Sequence, residues 1–139
     1  MNIVEIKSKL FLLLRLNKLD NTGILPPILL HELLIHKGFT DCELNQGFIS
    51  PEGGGYCWHL WIEKGDDIID INTDIACHID ENFKNLKFDF TYEIPETYDK
   101  DDTCVELWEH YNTDKKQFWK KQTMKVKNFR AKIFRIFSK

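Results

Sequence analysis

Apolar residues recur at helical spacing through the first nineteen positions. Ile3, Ile6, Leu10, Leu13, Leu14 and Leu16 alternate with Lys7, Lys9, Arg15 and Lys18, which predicts an amphipathic helix over residues 3–19. Asp20-Asn21-Thr22-Gly23 ends it. Pro26-Pro27 opens a second helix, because a missing N–H costs nothing in the first turn. Ile28, Leu29, Leu30, Leu33 and Leu34 give that helix a wide apolar face, and Gly38 after Lys37 stops it.

From Phe39 the period shortens. Thr40 to Leu44 and Gly47 to Ser50 read as two short extended pieces, followed by the loop Pro51-Glu52-Gly53-Gly54-Gly55. The strongest strand signal is Tyr56 to Glu63. After the turn Lys64-Gly65-Asp66-Asp67 comes a second arm, Ile68 to Asn72. Residues 73–103 form a long polar connection with a strand over Phe88 to Tyr92. A helix is expected from Thr103 to Tyr111, and one basic helix from Lys115 to Phe137. The fold class is therefore α+β: N-terminal helices on a small antiparallel sheet, with a basic C-terminal helix.

With Gly65-Asp66 as the two loop residues, Glu63 faces Ile68, Ile62 faces Ile69, Trp61 faces Asp70 and Leu60 faces Ile71. Alternation then gives Trp58, Leu60, Ile62, Ile69 and Ile71 to the core, and puts Cys57, His59, Trp61, Asp70 and Asn72 on the other face. His59 lies diagonal to Asp70, at about 5.5–8 Å between Cβ atoms and within reach of an imidazole–carboxylate bond. A carboxylate on one ring nitrogen fixes the tautomer and supports the imidazolium, so the other nitrogen can take a proton from a nucleophile. A His and an Asp so placed also occur as satisfied structural groups.

The chain has 139 residues, 42% hydrophobic and 13% aromatic, which suits one domain with a real core. Charge divides it: residues 1–113 hold 9 Lys+Arg against 21 Asp+Glu, whereas residues 114–139 hold 10 against Asp114 alone. We therefore read 1–113 as the α+β domain. Residues 114–139 read as a basic amphipathic helix that packs on the domain or tethers it to an anionic surface, lipid or nucleic acid. Phe118, Trp119, Val126, Phe129, Ile133, Ile136 and Phe137 form an apolar stripe that needs cover, which favours docking on the acidic domain.

The first residues lack the pattern of a secretion signal, and the longest apolar run, Leu10 to Leu14, is too short to span a bilayer. The expectation is a cytoplasmic protein. Asn-, Lys- and Ile-rich usage suggests an AT-rich genome, viral or low-GC bacterial. Cys42, Cys57, Cys77 and Cys104 show no C-x-x-C spacing and read as free thiols. A zinc site from Cys57, His59, Cys77 and His78 has the wrong spacing, so no metal or other cofactor is expected.

The string His59-Leu60-Trp61-Ile62-Glu63, followed by a turn and Ile68-Ile69-Asp70, resembles the H-x-W-x-E...D signature of transglutaminase-like cysteine enzymes. It is most similar to small leader peptidases of the lasso-peptide type. The resemblance covers about residues 22–75, including the helix Ile28 to Lys37 and the strand ending near Gly47-Phe48. It implies a transglutaminase-like or papain-like core and a Cys-His-Asp triad whose cysteine starts a helix, with His59 as general base and Asp70 as its orienter. At the helix start this chain reads Gly23-Ile24-Leu25-Pro26-Pro27, which puts Ile24 or Leu25 in the nucleophile's place. The expectation is a degenerate member that binds a peptide or protein partner. The alternative is an active peptidase, amidase or acyltransferase using Cys57, on the His59 face, or Cys42, on the preceding strand.

Overall fold

The computed structural model describes residues 1–20, 24–50, 57–72, 91–93 and 114–138. Helix α1 (Ile3–Leu16) starts where the Asn2 side chain accepts a bond from the Glu5 N–H at 2.8 Å, while the Asn2 amide donates to the Glu5 carboxylate at 3.1 Å. Its buried residues Ile6, Leu10 and Leu14 recur every fourth position and form one stripe.

Helix α2 (Leu25–His36) carries Pro26 and Pro27 in its first turn, as expected. It ends at Gly38, whose φ of +96° lets Phe39 N–H reach back to Leu34 C=O at 2.9 Å. Every residue from Leu25 to Leu30 is buried, as are Leu33 and Leu34. A helix with so wide a buried surface lies at the centre of a domain, and α2 meets α1, the sheet and both C-terminal helices.

The strands β1 (Cys42–Ser50), β2 (Cys57–Lys64), β3 (Asp67–Ile69) and β4 (Thr91–Glu93) form one antiparallel sheet in the order β3-β2-β1-β4. The two extended pieces expected around Thr40–Ser50 are one continuous strand. Asn45 and Gln46, which interrupt the apolar pattern, stay in the ladder opposite Trp61 and Leu60. The hairpin register is the expected one, with Ile62 opposite Ile69 and Glu63 opposite Ile68. Gly65, at φ +61°, is the only positive φ in the two-residue loop, the pattern of a type II′ turn. The second arm is shorter than expected: pairing stops at Ile69, and Ile71-Asn72 already have helical backbone. Of the elements expected beyond it, β4 overlaps the predicted Phe88–Tyr92 strand, and the Thr103–Tyr111 helix lies outside the described residues.

The single basic helix expected over Lys115–Phe137 is two helices, α3 (Lys115–Met124) and α4 (Lys127–Phe137). The break has a local cause. The Thr123 hydroxyl reaches back to the carbonyls of Trp119 and Lys120 in the preceding turn, a back-bonding that bends helices. The bend lets both segments face α2. Phe118, Ile133 and Phe137 are buried with Leu10, Leu29, Leu33, Leu44, Leu60 and Ile71 in one core, each such side chain contributing about 1.5–3 kcal/mol. Around this contact Arg130 pairs with Glu32 at 2.6 Å, and the Lys37 ammonium donates to the Phe137 carbonyl at 2.6 Å. No described helix is long and apolar enough to cross a membrane.

Candidate functional site

Paired residues of an antiparallel ladder share a face, so the register sorts the sheet. Leu44 and Ile62, with Gln46 and Leu60, face the helices, and all four are buried. Glu43 with Glu63, Asn45 with Trp61, and Gly47 with His59 occupy the other face. Gly47 puts no side chain opposite the imidazole, and the backbone at Gly47 is itself buried. That neighbour was readable in the sequence only through the pairing register.

Asp70 follows the last residue of β3, and its carboxylate meets His59. The His59 Nε2–H donates to Asp70 Oδ2 at 2.6 Å, with the two side chains 12% and 6% exposed. The distance is that of a charge-assisted bond, and few waters can compete for it. A carboxylate can only accept, so it holds the ring proton on Nε2 and makes Nδ1 the basic nitrogen of the neutral ring. The His59 ring lies 6.4 Å from the Trp61 ring at 23°, and Trp61 Nε1–H donates to Glu63 Oε1 at 2.9 Å. His59, Trp61 and Glu63 of the motif thus line up along one face of β2. Trp61 is only 1% exposed yet stands outside the main hydrophobic cluster, so this face has a buried part of its own.

Such a pair can orient and accept a proton; covalent catalysis needs a nucleophile at Nδ1. Cys42 does not fill that place. It is opposite Lys64 on the helix face of the sheet, whereas His59 is opposite Gly47 on the other face, five residues or about 17 Å along β1. Burial pushes the Cys42 thiol up, the Asp41 charge adds to this, and Lys64 opposes it, so the thiolate is disfavoured. The backbone of Cys57 is two positions before His59 on β2, about 6.5–7 Å away. At the start of α2, Ile24 is the N-cap residue and makes no side-chain capping bond, and Leu25 is buried in the core. Cys77, His78 and Cys104 lie outside the described residues.

A second histidine, His31 on α2, joins the helix to the sheet. Its Nε2–H donates to the Cys42 carbonyl at 3.2 Å. Burial lowers its pKa below 6.5, while the Cys42 carbonyl and the nearby Glu32 charge pull the other way. The pattern of the sequence did not single it out, because a histidine between Leu30 and Leu33 reads as part of the apolar face.

Compared with known proteins, the chain matches no family model, no curated protein and no solved structure.

Proposed function

We propose that the chain is a degenerate transglutaminase-like domain that keeps the His59–Asp70 pair and binds a peptide or protein partner over it. The observation that carries the proposal is the 2.6 Å bond between two nearly buried side chains on the sheet face away from α1 and α2. The start of α2 supports loss of catalysis: Ile24 and Leu25 offer no atom that attacks a carbonyl. The location and raised pKa of Cys42 support it further.

A second reading, an active cysteine peptidase, amidase or acyltransferase, draws on Cys57, which shares a strand with His59. Alkylation of the intact protein with iodoacetamide across pH, followed by peptide mass mapping, separates the two. The degenerate domain gives no cysteine that reacts faster near neutral pH than an ordinary thiol. One cysteine that reacts much faster, and is slowed by His59→Ala, overturns it. Peptides selected from a random display library should bind the wild-type protein and perturb the His59 imidazole resonances. Peptides that bind without touching those resonances would remove the partner from this face.

A further inference from the structure

We infer that the groove between α2, α3 and α4 binds the sugar–phosphate backbone of single-stranded nucleic acid, with Lys116, Lys120 and Lys127 on phosphates and Trp119 under a base. The groove has a volume of about 400 Å³. Lys116 and Lys120 are one helical turn apart on α3, about 5–6 Å between Cβ atoms, and Lys127 opens α4 at the other end of the bend. All three are exposed, and none of them forms an ion pair among the described residues. Arg130, also in the lining, is held by Glu32, so the one carboxylate among the described lining residues is neutralised. Trp119 is half-buried, its ring braced 5.7 Å from that of His31 at 52°.

The charge on α3 and α4 selects an anionic partner. Lys115, Lys121, Lys125, Lys132 and Arg135 are exposed as well, and Asp114 is the only acid between residues 114 and 139. A polyanion that releases counterions from such a surface gains affinity that salt removes. The apolar residues decide between polyanions. An interfacial membrane helix turns its aromatic face into the lipid, but Phe118, Ile133 and Phe137 are turned into the protein core. Met124 is the only large apolar side chain exposed on α3 or α4. An aromatic ring set among cations suits an unpaired base above its flanking phosphates; a duplex keeps its bases stacked inside. No residue of this groove belongs to the His59–Asp70 pair, so the two proposals fail separately.

The test is fluorescence anisotropy of the full chain with a labelled oligothymidylate of about a dozen nucleotides, over a salt series. Far-UV circular dichroism verifies that each variant is folded. Lys116→Gln/Lys120→Gln should weaken binding about tenfold or more and reduce the log–log salt slope by about 1.4, two phosphate contacts at about 0.7 each. Lys132→Gln/Arg135→Gln removes the same charge from the far end of α4 and should weaken binding less than about threefold. Trp119→Phe, which keeps a stacking ring, should stay close to wild type, and Trp119→Leu should lose at least about fivefold. Equal losses from the two charge pairs overturn the groove. Equal affinity for a duplex of the same length, no binding at low salt, or binding only to phosphatidylserine-containing vesicles overturns the single-stranded partner.

Discussion

Alternate residues of the same strands build the two faces of the sheet, and they are held by different forces. Toward the helices, Leu44, Leu60, Ile62 and Ile71 are at most 5% exposed and join one apolar cluster with α1, α2, α3 and α4. Toward the other side, Trp61 and Asp70 are also buried and carry directed bonds: Asp70 to His59, and Trp61 to Glu63. The first face depends on volume and area, which other apolar side chains can supply. The second depends on which atom donates to which, so a change of one polar group removes a bond from a buried partner.

Substitutions on the two faces should break or sharpen this contrast. Leu60→Ala, at a fully buried core position, is expected to cost about 2–5 kcal/mol in a denaturant titration. Asp70→Ala should cost less, about 1.5–3 kcal/mol, and nitrogen-15 imidazole shifts should show His59 losing its fixed Nε2–H tautomer. A cost larger than that of Leu60→Ala would make the polar face the main source of stability and reverse the contrast.

His31 tests the seam where α2 meets the sheet. Its folded pKa is lowered by burial, so the unfolded chain binds a proton at a higher pH than the folded one. Its contribution is complete above about 6.5 and is lost as pH falls from there toward the folded value. His31→Gln should flatten that part of the pH–stability curve and cost about 0.5–1.5 kcal/mol at neutral pH, the worth of one hydrogen bond. An unchanged curve would assign the acid sensitivity to another group. The smallest effect is expected from Glu63→Gln. It keeps an acceptor for Trp61 and removes the like charge directly opposite Glu43, so stability should change by less than about 0.5 kcal/mol, in the stabilising direction.

The hairpin and its site were legible because local rules coincide there. A two-residue loop with Gly65 sets the register, and the register places every side chain. The alternation itself runs on to Asn72, although pairing stops at Ile69. Nothing local in Ile69-Asp70-Ile71 marks the exit, and what marks it in the fold is that Ile71 enters the helix-side core while Asp70 bonds to His59. The break between α3 and α4 was hidden for a similar reason. No glycine or proline stands there, and the bend comes from the Thr123 hydroxyl and from the fit of Phe118 and Ile133 against α2. Cys42 is a candidate if its strand pairs beside the hairpin; β1 does pair there, but five positions of register and a change of face separate Cys42 from His59. Trp61 was assigned to a polar face and proved almost fully buried, which a pairwise hairpin reading cannot anticipate.

Helix α2, enclosed from Leu25 to Leu30 and again at Leu33 and Leu34, has a kinetic consequence. The amides of its buried stretch, packed under α1, the sheet and the C-terminal helices, should exchange with solvent deuterium through openings close to global, whereas α4 can detach and exchange earlier. A ligand that tightens either the sheet or the basic helices should therefore slow the same amides, those of Leu29, Leu30, Leu33 and Leu34.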